Sequence, residues 1–148
     1  MKQIYISGET LQGESYKLFI SCLFEKSNIF SYEVLKDFDI LHDMEDKKYL
    51  DNILKSEKIF NNFYKKKNVD ERNKLKSFVY LNNQAVRNYL KSADSIYHWN
   101  YPNDIENLCF YKNDVCVFES VTHEDYFVFY SENKTEIERL KEYGLKLN

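Results

Sequence analysis

Proton-transfer chemistry has one natural seat in this chain. Ser120, Thr122, His123 and Glu124 crowd into a short polar run between two apolar segments, with Asp125 directly after. An imidazole titrates near neutral pH, so His123 could serve as a general base with Glu124 to orient it. Cys109 or Cys116 could supply a thiol nucleophile, which needs a nearby base to ionise. A plainer reading stands beside this one. Polar residues at a strand end bond their own turn, and cysteines in strands serve as small buried hydrophobes. No G-x-S-x-G or comparable signature accompanies the cluster.

Other chemistries fare less well. Residues 8–15 read G-E-T-L-Q-G-E-S after a strand and before a helix, which is the spacing of a phosphate-binding loop. Glu14 stands where that loop needs Lys, and Glu9 adds a second carboxylate that repels phosphate. A turn opening a helix accounts for the run instead. His42, His98 and His123 share no HxH or HxxxH spacing, so neither a metal nor any other cofactor is expected. Lys65, Lys66 and Lys67 with Arg72, Lys74 and Lys76 form a local basic patch, offset by Asp70 and Glu71. A regulator binding nucleic acid through that patch is one alternative function. The net charge of −3 weighs against it, since phosphate neutralisation dominates such binding.

The densest concentration of rare residue types lies in residues 98–124. The only Trp (Trp99), the only Pro (Pro102), two of three His and two of three Cys fall there. His98, Trp99 and Tyr101, with the acidic turn at Glu124 and Asp125, are the candidates for contact with a protein partner, because exposed aromatic anchors dominate interface energetics. The same loop could be a lid that seals a helix onto the sheet, since Trp is highly buried on average.

Trp99-x-x-Pro102, then Glu106-x-Leu108-Cys109-Phe110-Tyr111-Lys112-Asn113 and later Thr122-His123-Glu124, resemble a group of small uncharacterised Firmicutes proteins. Some of those carry a sporulation label. They share W-x-x-P, E-D-L-C-F-Y-K-N-G and S-H-E segments and an opening strand that ends in Ser-Gly, as Ile6-Ser7-Gly8 does here. This chain departs from them at Asp114 (their Gly), Val117 (their aromatic) and the Val121-Thr122 step before His123. The resemblance implies no activity.

The elements that position these residues are legible from periodicity. Strands are expected at residues 3–7, 30–34, 75–81, 108–111, 115–120 and 126–130, with 75–81 apolar on both faces and therefore an inner strand. Helices are expected at residues 11–26, 43–67 and 135–143, and after Asn82 or Asn83 with Val86, Tyr89, Leu90, Ala93 and Tyr97 facing inward. The last begins at a capping box of Thr135 with Glu138, or alternatively at Asn133 with Glu136, and ends at Gly144. Asn113-Asp114 reads as a hairpin turn. The expectation is a single α+β domain over residues 1–148, with a mixed sheet of five to six strands, a C-terminal antiparallel meander and a terminal helix.

Composition sets the class. With 148 residues, the longest apolar run falls far short of the ~20 that a membrane span needs. No secretory leader pattern opens the chain, and three Cys at unrelated spacings make no disulfide framework, so a cytoplasmic setting is expected. Thirteen Tyr and eleven Phe exceed the ordinary share. Coding bias raises Lys, Asn, Ile, Tyr and Phe together, yet Tyr also suits contact surfaces. The leading expectation is a small protein-interaction module, of the immunity or anti-defence inhibitor type. The alternative is a small-molecule-binding protein or hydrolase centred on His123, Glu124 and Cys109.

Overall fold

The computed structural model describes residues 1–35, 37–53 and 75–148. Six strands form one sheet: β1 (Gln3–Tyr5), β2 (Ile29–Leu35), β3 (Leu75–Leu81), β4 (Glu106–Lys112), β5 (Val115–Val121) and β6 (Tyr126–Tyr130). Among the described residues five α-helices accompany them: α1 (Gly13–Lys26), α2 (Phe38–Leu41), α3 (Glu45–Ile53), α4 (Gln84–Lys91) and α5 (Lys134–Glu142). The architecture is α+β, with the expected β4-β5-β6 meander and terminal helix. Of the helix expected over residues 43–67, the part past residue 53 lies outside the described residues. No helix among those described is long and apolar enough to cross a membrane.

The strand order is β1-β6-β5-β4-β2-β3, and every pairing is antiparallel, where a mixed sheet was expected. Helical crossovers give parallel neighbours only when the strands they join lie side by side. β2 and β3 are adjacent with α2 and α3 between them in the sequence, yet run antiparallel. β1 and β2, joined through α1, have three strands between them, and β3 and β4, joined through α4, have β2 between them. Residues 75–81, expected inside the sheet, form a strand whose one described strand neighbour is β2. Leu75, Val79 and Tyr80 are nonetheless buried, so apolarity on both faces did not report sheet position.

One sheet face carries the main core. Phe30, Tyr32, Tyr80, Phe110, Phe118, Phe127 and Phe129 meet Phe19, Ile20 and Leu23 of α1, Leu50 of α3, Val86 and Leu90 of α4, and Leu140 of α5. Phe19 packs edge-on to Phe118 at 5.1 Å and to Phe129 at 6.1 Å. Ile29, Val79, Cys109 and Tyr111 form a smaller cluster, which strand alternation places on the opposite face.

Local chemistry fixes the element ends. Asn83 caps α4 by accepting from the Val86 N–H at 2.8 Å. Asn133, not Thr135, caps α5, accepting from Thr135 and Glu136 N–H groups. The Glu136 carboxylate accepts a hydrogen bond from the Ser131 hydroxyl and pairs with Lys26, which ties α5 to α1. Gly144 at φ +91° closes α5: its N–H reaches the Lys141 carbonyl at 2.9 Å, and the Leu145 N–H reaches that of Leu140 at 3.2 Å. In the β4–β5 turn the left-handed residue is Asn113 (φ +54°), so no Gly is required at Asp114.

A single hydroxyl joins three of these parts. Tyr16 of α1 donates to the Leu90 carbonyl at 2.5 Å and accepts the Trp99 indole N–H at 2.7 Å. The Leu90 carbonyl lies in the last turn of α4, where carbonyls lack intrahelical partners. Burial keeps the Tyr16 phenol un-ionised far above the ordinary tyrosine range, with the Trp99 bond pulling weakly the other way. Tyr16→Phe strands a buried acceptor and a buried donor at once. It is expected to lower unfolding free energy by about 2–4 kcal/mol in urea denaturation. A loss indistinguishable from zero would show that water replaces the hydroxyl.

Candidate functional site

The segment between α4 and β4 organises the end of the sheet where β2 stops and β4 begins. Ser95 opens a tight 3₁₀ turn, Ile96–His98. At three residues per turn, successive side chains point in different directions. Ile96 goes into the core, and its N–H binds the Leu11 carbonyl at 3.0 Å. Tyr97 leans toward β6, and His98 toward α3. Trp99 follows at 1 % exposure. It is therefore a core residue, as the reading of this loop as a lid has it, and not an exposed partner contact.

On the α3 side, Asp104 acts as a cap from a distant part of the chain. Its two oxygens accept the backbone N–H groups of Asp46 (3.1 Å) and Lys47 (2.7 Å), at the start of α3. A carboxylate suits that helix end. Burial raises the Asp104 pKa above the usual range, those two N–H bonds pull it back, and the neighbouring Asp46 charge raises it further. Asp46 itself is buried, accepts the Tyr89 hydroxyl and stands 3.9 Å from the His98 Nε2. Tyr49 stacks on Tyr89 at 4.2 Å. One turn along, Asp51 accepts from Tyr80 at 3.1 Å and pairs with Lys47 at 2.5 Å.

Next to this network lies an apolar projection. α2 has one inward residue, Phe38, and turns Ile40 (71 % exposed) and Leu41 (83 %) to solvent. His42 stacks against Phe38 at 4.6 Å, and Tyr101 (55 % exposed) meets both rings edge-on at 6.3 and 5.6 Å. Exposed Asp37, Asp39 and Asp43 flank the projection. Glu106 joins this region to the 122–124 turn. Burial raises its carboxyl pKa, the His123 charge lowers it, and it accepts the Tyr101 N–H.

On the β6 side, Tyr97 crosses Gly8, packs edge-on to Phe127 at 5.8 Å and donates to Asp125. Burial and Asp125 together push the Tyr97 phenol up to about 12. Asp125 sits at φ +53° as the end of the turn Thr122–Glu124, which buried Asn107 holds by accepting the Thr122 N–H at 3.0 Å. Tyr5, Glu9, Tyr97, Glu124, Asp125 and Tyr126 border a cleft of about 500 Å³.

Of the expected contact residues, His98, Tyr101, Glu124 and Asp125 are exposed and lie at this one end. Of the hydrolytic grouping, His123 and Glu124 are side by side on the 122–124 turn and Cys109 lies on the adjoining strand. His123 is an exposed turn residue 3.7 Å from Glu124, beyond the end of β5. Cys109 is buried within β4, opposite Glu119, with its thiol 3.6 Å from the Asn107 carbonyl. The three His occupy separate surroundings, and the described residues contain no group of three metal-capable side chains. Three amides of the 8–15 run donate to backbone carbonyls: Thr10 to Ser7, Leu11 to Gly8 and Gly13 to Asp94. Of the basic patch, Lys76 is exposed on β3, and Lys65, Lys66, Lys67, Arg72 and Lys74 lie outside the described residues.

Sequence reasoning missed Asp104, Tyr97, Gly8 and the Ile40-Leu41 pair as parts of this surface. A cap supplied from 57 residues away has no local signal. An apolar pair framed by Asp37, Asp39 and Asp43 does have one, in retrospect. No family model, curated protein or solved structure matches the chain.

Two outcomes follow from this geometry. A Cβ at Gly8 would lie 2.2 Å from the Tyr97 hydroxyl and 2.5 Å from Phe127. Gly8→Ala should therefore cost about 1–3 kcal/mol, as overpacking does. Tyr97→Ala in the same chain should recover part of that loss, and strictly additive losses would sink the account. The second concerns pH. A carboxyl whose pKa is higher folded than unfolded binds its proton more tightly in the folded chain. Its contribution favours folding at acidic pH and declines as pH rises from the usual carboxylate range through the raised value. Asp104→Asn, which cannot ionise, should flatten that part of the stability–pH curve. An unchanged curve shape would overturn the assignment.

Proposed function

We propose that the protein is a protein-interaction module that binds and covers a partner, in the manner of an immunity or anti-defence inhibitor. The observation that supports this reading is the exposed pair Ile40 and Leu41 beside Tyr101, seated on the Phe38–His42 frame. α2 needs only Phe38 to dock. Two large aliphatic side chains held out in water contribute little to folding and are suited to being covered by another surface. The acids around them make a polar rim to an apolar centre, the usual anatomy of an interface. A partner with an apolar depression bordered by basic residues fits that arrangement, with His98 and Tyr101 at its margin and Glu124 and Asp125 extending the acidic side.

The test is an Ile40→Asp, Leu41→Asp double variant compared with wild type in quantitative capture from a lysate of the source organism. Both residues are exposed, so stability should change by no more than about 0.5 kcal/mol per site. Capture of a stoichiometric partner should fall at least tenfold. A partner retained equally by the variant, or no stoichiometric partner of the wild-type chain, would overturn the reading.

A further inference from the structure

The cleft of about 500 Å³ on the β6 side has walls of two chemical kinds. Its tyrosine rings are Tyr5, Tyr97 and Tyr126, and its charged side chains are Glu9, Glu124 and Asp125. No Lys or Arg among the described residues lines it. Tyr5, Tyr97 and all three acids are exposed, so these groups are open to a ligand. The rings meet their neighbours at right angles. Tyr5 is edge-on to Tyr126 at 6.0 Å with 78° between the planes, and Tyr97 is edge-on to buried Phe127 at 5.8 Å and 88°. An edge-on pair leaves the faces of one ring uncovered by the other, and those faces carry the negative side of the ring quadrupole.

The carboxylates lack cations of their own. Asp125 accepts the Tyr97 hydroxyl with one oxygen, and Glu124 stands 3.7 Å from the His123 imidazole. Among the described residues no Lys or Arg pairs with Glu9, Glu124 or Asp125. Uncovered aromatic faces and uncompensated carboxylates are different observations, and both select a cation. The rings further select one with a flat or apolar body. The volume lies within the ~300–1,000 Å³ of sites that enclose such groups.

We infer that this cleft receives an arginine side chain of the partner protein, with the guanidinium against the tyrosine rings and its N–H groups on the Glu124 and Asp125 carboxylates. A guanidinium stacks on an aromatic face, is weakly hydrated and presents donors in a fork that matches a carboxylate, whereas a lysine ammonium is a strongly hydrated point charge. Arg is also among the residue types enriched where interfaces concentrate their binding energy. Glu9 adds to the negative field and turns anionic competitors away. That the arginine arrives on a protein rests on the reading above; the preference of the cleft for it does not.

The test is a ¹H–¹⁵N NMR titration of the whole protein with the blocked peptide acetyl-Gly-Arg-Gly-amide, beside its Lys and Gln counterparts. The Arg peptide should shift the backbone amides of Tyr97, Asp125 and Tyr126 saturably at millimolar concentration. The Lys peptide should bind at least fivefold more weakly, and the Gln peptide should give no saturable shift. Added salt should weaken the Arg peptide, since the charges that meet it are exposed. Glu124→Gln with Asp125→Asn, and separately Tyr126→Leu, should each weaken it at least tenfold, with folding checked by thermal melting. Should Asp125→Asn disturb the turn that it ends, Glu9→Gln with Glu124→Gln removes the same charge from exposed positions. No saturable shift, a Lys or Gln peptide bound as tightly as the Arg peptide, or binding indifferent to the cleft variants would overturn the inference. The titration contains no partner, so its outcome is separate from that of the lysate capture.

Discussion

The Tyr16 hydroxyl is the constraint on which the organised end of the molecule depends. One phenol has one proton to give and lone pairs to receive, and both are used inside the core. Its donation fixes where α4 stops, because it completes a carbonyl that the helix itself leaves open. Its acceptance fixes Trp99, and through Trp99 the loop that leaves α4. Tyr97 and His98 immediately precede that anchored ring. Their opposite directions, one to Asp125 and one to Asp46, therefore follow from a bond neither of them makes. The Trp is valuable here for its indole N–H and its bulk together. Replacing it by another large apolar ring would keep the volume and lose the tether.

The same loop stabilises α3 from outside. Asp104 supplies the cap that α3 lacks in its own sequence, and it does so as a carboxyl that burial makes reluctant to ionise. Asp46 adds a second buried acid, offset by the Tyr89 hydroxyl. Two carboxyls so close are tolerated because each accepts directed hydrogen bonds, which low dielectric makes stronger as well as more necessary. The neighbouring apolar projection on α2 has the opposite economy. It needs no polar partner and touches little, so it can be altered without disturbing the network beside it.

How far the sequence carried this picture depends on the range of the interactions. Strands at residues 75–81 and 126–130 and the helix after Asn83 were legible because alternation, helical spacing and caps act over a few residues. Sheet order was not, since it is decided by which strands pair across long connections. That is how a strand whose one described strand neighbour is β2 came to look internal. The rarity of Trp99 marked a core tether, and the exposed rings beside it are Tyr97 and Tyr101. α2 was invisible because four residues are too few to show a period. Asp104 was invisible because its partners lie far away in the chain.

The apolar projection on α2 and a cleft between the end of α1 and the start of α4 lie at opposite ends of β2, which runs from Ile29 to Leu35. Seven residues of strand span about 20 Å. Two helices also start or end at that cleft. α4 has its Asn83 cap there and its Leu90 carbonyl, in the last turn, held by Tyr16. α1 has Phe24 there and Tyr16 near its start. The Tyr16 hydroxyl thus ties together the ends of both helices that lie away from the cleft, and the Trp99 indole closes on the same atom. One group therefore sets how two helices sit against each other, which is why its loss cannot be made good by packing alone.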